Sequence, residues 1–107
     1  MMPGMDTDDP SLMAFVEQTI EECKTIDYNP TRFRVMLKQH GAVGALRILL
    51  DVKDPSDGFG TLLMKGRLDL TAEAIALRPE WQRHFTKPQR DRARERLAGT
   101  VYALTDV

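Results

Sequence analysis

Apolar residues recur with a helical period along most of the chain. Leu12, Phe15, Val16, Ile20, Cys23 and Ile26, joined by Thr19, fall on one stripe at 100° per residue, and Glu17, Glu21 and Lys24 lie opposite. Asp9 is a capping residue and Pro10 suits a first helical turn, so a helix starts there. The same logic recurs at Asn29 and Pro30, where Asn29 caps and Pro30 opens a second helix carrying Phe33, Met36, Leu37 and His40 at spacings of three and four. Gly41 stops it. A third helix is predicted from about Ala42 to Asp51, with Val43, Leu46, Leu49 and Leu50 on its buried side and Gly44 as a weak point. Asp54-Pro55-Ser56-Asp57-Gly58 reads as a turn cluster. Phe59, Leu62 and Leu63 suit a short fourth helix ending near Gly66; Leu70, Ala74, Ile75 and Leu77 suit a fifth that ends before Pro79.

Pro79-Glu80-Trp81 breaks that helix and opens one further turn, in which Trp81 and Phe85, four apart, point the same way as core anchors. Thr86 followed by Gln89 forms a capping box for a last helix. Its inward positions are Ala93 and Leu97, and its remaining surface carries most of the six bases between 83 and 96. No run alternates apolar and polar long enough to demand a strand; the best candidate, Thr100 to Leu104, follows a helix and lacks a partner. The pattern predicts an all-α fold, a single compact bundle of five to six short helices. A mobile acidic segment over residues 1–9 would precede a helical domain over 10–98, and a partly ordered tail would occupy 99–107. The expected core is Leu12, Phe15, Val16, Ile20, Phe33, Met36, Leu37, Leu46, Leu49, Leu50, Phe59, Leu62, Leu70, Leu77, Trp81, Phe85 and Leu97.

Composition narrows the class. The chain has 107 residues, 42% apolar and 29% charged, with a net charge of -1, which fits one small domain able to bury a core without a metal or disulfide staple. Cys23 is the single cysteine, so no internal disulfide forms, and with only His40 and His84 beside it no zinc-finger spacing can be assembled. The absence of a membrane-length apolar run and the acidic start, where a signal peptide would be basic and then apolar, predict a cytoplasmic protein. Charge is uneven: residues 1–28 carry a net of -6 and residues 78–98 a net of +4. Two opposite helices that pack together or present solvated faces explain this, and a basic docking face is the functional alternative.

Tyr28-Asn29-Pro30-Thr31-Arg32-Phe33, Met36-Leu37 with Gly41, Leu49-Leu50, Asp57-Gly58-Phe59, Gly66 to Thr71 with Glu73, Pro79-Glu80-Trp81, Phe85-Thr86 and Ala93-Arg94 with Arg96-Leu97 form an ordered set. It resembles a family of small bacterial all-helical domains with no assigned activity, found alone or as a C-terminal appendage. The resemblance spans Tyr28 to Leu97 and is most specific at Gly66-Arg67-Leu68-Asp69-Leu70-Thr71, Glu73 and Pro79-Glu80-Trp81. Leu63 departs from it, standing where family members often carry an aromatic. The resemblance implies fold boundaries and assigns no catalytic residue.

The candidate chemistry is sparse. Cys23 sits within the apolar stripe of the first helix, where burial works against thiolate formation. Ser11 and Ser56 read as capping or turn residues. His40, at a helix C-terminus, suits a capping or core role, and His84 has no helical metal partner three or four residues away. Asp51, Asp54 and Asp57 with Gly58 lack the ligand alternation and closing glutamate of a calcium loop. Gly58 and Gly60 follow no strand and precede no phosphate-binding lysine. The second and third helices outline a helix-turn-helix, but the would-be recognition helix offers only Arg47 to base edges. Arg67, Asp69 and Thr71 read, with Trp81, as a structural motif: Thr71 or Asp69 can cap the fifth helix, and Arg67 can pair with a carboxylate, Asp69, Glu73 or Asp57.

One candidate face remains, Arg83, Lys87, Arg90, Arg92, Arg94 and Arg96. On a helical wheel Arg90 and Arg94 flank one side of the Ala93–Leu97 seam, Arg96 flanks the other, and Arg92 points away, a spread that favours snorkelling and ion pairs. The reading is therefore a non-enzymatic protein-interaction or accessory module with no catalytic residue, metal or cofactor, whose contact surface is an exposed apolar patch or a homodimer face. The alternative is a nucleic-acid-associated protein using that basic helix, and an enzyme assembled on dimerisation ranks third.

Overall fold

In the computed structural model, which describes residues 9–105 and side chains as far as residue 99, every regular element is helical and the described residues contain no strand. No helix among them is long and apolar enough to cross a membrane. The expected acidic segment at residues 1–9 lies outside the described residues except for Asp9. The chain divides into two compact units between Ile48 and Leu49.

The first unit begins with α1, Pro10–Thr25. Asp9 caps it as expected: its carboxylate accepts the Ser11 N–H at 2.9 Å and the Leu12 N–H at 3.2 Å. Leu12, Val16, Ile20 and Cys23 are buried along one stripe, and Phe15 is half-buried beside it. The helix ends in a left-handed reversal. The Tyr28 N–H donates to the Cys23 carbonyl at 3.0 Å and the Asp27 N–H to that of Lys24 at 3.1 Å, with Asp27 at φ 63°.

Helix α2, Thr31–Asp51, breaks at Gly41, whose φ of 73° and ψ of 176° are available to glycine at little cost. The two predicted helices are thus both present, one on each side of Gly41. The expected Asn29 cap is not formed. Its side-chain oxygen accepts instead from the Arg34 guanidinium at 3.2 Å, while the Pro30 carbonyl takes the Arg34 N–H at 3.0 Å. Before the break only Leu37 is buried; Phe33 and Met36 are half-buried, and His40 is exposed rather than in the core. After it Ala42, Val43, Ala45 and Leu46 are buried.

The second unit contains the last turn of α2, where Leu50 is buried and Leu49 half-buried. Helix α3, Asp57–Met64, starts on Ser56, whose hydroxyl accepts the Phe59 N–H at 3.2 Å, and buries Phe59 and Leu62. Gly66, at φ 72°, closes α3 with the same bond pattern that closes α1: Arg67 N–H to Leu62 carbonyl at 2.8 Å and Gly66 N–H to Leu63 carbonyl at 3.0 Å. Leu68–Leu70 form a 3-10 turn, so Leu70 precedes the next helix instead of opening it. Helix α4 is short, Ala72–Ala76, capped by the Thr71 hydroxyl, which accepts the Ala74 N–H at 3.1 Å. It buries Ile75 and Ala76, and also Glu73. Leu77 is half-buried. Trp81 and Phe85 are buried on either side of a 3-10 turn, Gln82–His84, as core anchors.

Helix α5, Lys87–Thr105, packs against α4. Both halves of the predicted capping box form: Gln89 N–H to the Thr86 hydroxyl at 3.2 Å, and Thr86 N–H to the Gln89 side-chain oxygen at 2.9 Å. The helix runs through Gly99 and includes the Thr100–Leu104 stretch considered as a strand, because a single glycine weakens a helix by about 1 kcal/mol relative to alanine without forbidding it.

Candidate functional site

The basic residues of the last helix are held by the protein itself. The last carbonyls of a helix lack intrahelical partners and carry partial negative charge, and α2 has no base of its own in its last turn. Helix α5 supplies the missing donors. Arg92 Nη1 donates to the Leu50 carbonyl at 2.7 Å. Arg96 donates to the carbonyls of Leu49 at 3.1 Å and Val52 at 2.6 Å, and to the Glu73 carboxylate at 2.8 Å. Gln89 Nε2 donates to Asp51 Oδ1 at 3.0 Å. The Arg96 and Glu73 side chains are only 6% and 3% exposed, which makes this a buried charge pair whose guanidinium fork is filled.

These contacts correct the expected basic face. Residues 89, 92, 93 and 96 form the inward side of α5, so the seam is rotated from Ala93–Leu97 toward the arginines; Leu97 is only half-buried. Arg92 points inward, not away, because the end of α2 attracts cations. Arg90 donates to the carbonyls of Phe85 and Gln82. Arg83 donates to the Glu80 carbonyl at 2.5 Å. Lys87 and Arg94 are exposed, but both pair with Asp91, at 2.7 and 3.0 Å. The hydrogen bond from Lys87 is the main cause that holds the Asp91 carboxyl below its ordinary range.

The Arg67–Asp69–Thr71 motif is local and structural in geometry. Arg67 forks onto Asp69, Nε to Oδ1 at 3.0 Å and Nη2 to Oδ2 at 3.1 Å, at a surface position where the Asp69 side chain is 63% exposed. That bond holds the Asp69 carboxyl below its usual value. Thr71 both caps α4 and donates to the Leu68 carbonyl at 2.7 Å.

The other reactive side chains do not converge. Cys23 is buried in the α1 stripe, as its position in the pattern predicts. His84 is half-buried with its ring edge-on to Phe85, centroids 6.4 Å apart, and His40 lies exposed on α2. Among the described residues no group of three or more His, Cys, Asp or Glu is placed to hold a metal ion.

What the sequence reading did not identify is an open groove in the first unit, with a volume of ≈ 840 Å³. Helix α1 contributes Met13, Ala14, Glu17, Gln18, Ile20, Glu21 and Lys24; α2 contributes Thr31, Arg34, Val35, Leu37 and Lys38. Ile20 and Leu37 are buried, whereas Val35 is 54% exposed. Neither histidine lines it. One signal was available: Val35 falls off the Phe33–Met36–Leu37–His40 stripe, an apolar residue on the side of the helix where polar ones belong.

Comparison with family models, with curated proteins and with solved structures finds no match to this chain.

Proposed function

We propose that this chain is a non-enzymatic protein-interaction module whose contact surface is the groove between α1 and the first segment of α2. The observation that carries this reading is the groove itself: an open, mixed apolar and charged trough with Val35 standing half in solvent. The nucleic-acid alternative loses its support because Arg90, Arg92 and Arg96 are spent on carbonyls and a carboxylate. A protein that neutralises many phosphates needs cations turned outward, and here Lys87 and Arg94 share one aspartate.

The test is capture from native lysate at low and high salt, with and without nuclease, using the wild-type chain, Val35→Glu, and the double variant Lys87→Glu/Arg94→Glu. Protein partners should survive nuclease, disappear with Val35→Glu and persist in the double variant. Recovery that vanishes under nuclease and high salt, and in the double variant, would replace this reading with the nucleic-acid one.

A further inference from the structure

We infer that the groove seats the same groove of a second copy of this chain, an inference that rests on the interaction reading above and names its partner. The two walls differ in charge. On α1, Glu17 and Glu21 stand one turn apart, with Lys24 bound to Glu21 at 3.0 Å, so that wall is net acidic. On α2, Arg34 and Lys38 stand one turn apart, and among the described residues that wall contributes no acid to the lining, so it is net basic. Arg34 anchors to the neutral side chain of Asn29, and no described carboxylate pairs with it. All four residues of the two pairs are exposed.

An acidic wall facing a basic wall is self-complementary. In a twofold interface each residue meets its counterpart's partner, so i contacts j and j contacts i. A twofold axis along the groove lays the α1 wall of one copy over the α2 wall of the other, and both acid–base juxtapositions follow from one operation. An unrelated partner would have to present both signs in matching order, whereas a second copy has them by construction. The apolar surface available, mainly Val35, Ala14 and Met13, is small, so the dimer belongs with weak, concentration-dependent interfaces, and its charged contacts are screened by salt.

Sedimentation equilibrium of the full chain over a concentration series tests this. Wild type should show a reversible dimer that weakens with salt. Arg34→Glu/Lys38→Glu makes both walls acidic, and Glu17→Lys/Glu21→Lys makes both basic; each should weaken self-association at least about tenfold, since like charges then face each other. Mixing the two variants should restore a dimer of wild-type strength, made of one copy of each. Far-UV circular dichroism checks that both variants keep their helix content; where one does not, the single variant Lys38→Glu replaces the acidic one and Glu21→Lys replaces the basic one. A wild-type chain that stays monomeric throughout, a dimer indifferent to both reversals, or a mixture that fails to associate would overturn the inference. A monomeric chain that still captures a protein through nuclease and salt, in a Val35-dependent way, would leave the interaction reading standing and sink only this one.

Discussion

Helices α1 and α5 are both long, and they are held in opposite ways. The inward side of α1 is Leu12, Val16, Ile20 and Cys23, a stripe without a formal charge. As far as its side chains are described, the inward side of α5 is Gln89, Arg92, Ala93 and Arg96, with Leu97 half-buried beside them, so polar groups make up most of it. Burial of the first kind is non-directional: it follows the area removed from water and tolerates small shifts. Burial of the second kind works only while each donor meets its acceptor, because a guanidinium taken out of water must be satisfied on every side. The first arrangement should therefore degrade gradually under substitution, and the second should fail abruptly when one partner goes.

The largest expected effect tests that brittleness. Arg96→Met leaves the Glu73 carboxyl buried without its partner and strips two carbonyls of a donor, so it should cost about 3–5 kcal/mol, read from urea unfolding. Arg96→Lys should recover little of it, since a compact ammonium cannot reproduce the fork that reaches both Glu73 and the end of α2. The sharper experiment is the pair: Arg96→Met with Glu73→Leu removes both charges and should be more stable than Arg96→Met alone. If the pair adds no stability to the single variant, an uncompensated Glu73 was not the source of the loss.

On α1 the expected behaviour is graded. Leu12 is fully buried, and Leu12→Ala should cost about 2–5 kcal/mol while Leu12→Met, which conserves volume, should cost less than about 1.5 kcal/mol. Equal losses from the two substitutions would show that this position too depends on exact shape, and the contrast with α5 would fail.

The same contrast explains what the amino-acid pattern disclosed. Local sequence located α1 and its buried stripe, the break at Gly41, Thr71 as one of two candidate caps and the Thr86–Gln89 box, because each is written in residues a few positions apart; it ran the turn cluster to Gly58, two residues into α3. Periodicity misplaced the α5 seam because hydrophobicity is the signal it uses, and that seam is polar. The acceptors for Arg92 and Arg96 lie 42 to 47 residues away, and no local rule anticipates them. Glu73 was legible as a candidate carboxylate partner for the nearby Arg67, but its actual partner, Arg96, lies 23 residues away. The groove was illegible for another reason: it is the space two helices leave between them, and only Val35 off its stripe hinted at it.

A smaller effect separates two helix ends of identical hydrogen-bond form. Both α1 and α3 end through a residue with positive φ, Asp27 at 63° and Gly66 at 72°. Space around Gly66 is open to a methyl group, so the cost of Gly66→Ala is backbone strain alone, about 1–2 kcal/mol. Asp27→Gly should move the other way, stabilising by a fraction of that, because aspartate tolerates this region better than alanine does and glycine gives back part of the gain as unfolded-state entropy. Opposite signs in thermal unfolding are the check; destabilisation by Asp27→Gly would mean that its side chain holds the turn in some further way.

Acid should also act on the two units unequally. Asp69 is held below its ordinary value chiefly by the Arg67 hydrogen bond, Asp91 by that of Lys87, and Glu80 by a backbone hydrogen bond and then Arg78; all three lie in the second unit. A carboxyl with a lowered folded pKa contributes stability above its unfolded value, and that contribution disappears as pH falls through the folded one. These groups are exposed, so each effect is small and weakened further by salt. Lowering the pH below the ordinary carboxylate range should reduce amide protection in the second unit before the first, compared as protection factors. The stability gap between wild type and Asp69→Asn should be present at neutral pH and close in acid. A gap that stays constant with pH would show that the fork acts through its geometry rather than its charge, and would move Asp69 to the same side of the comparison as the apolar stripe of α1.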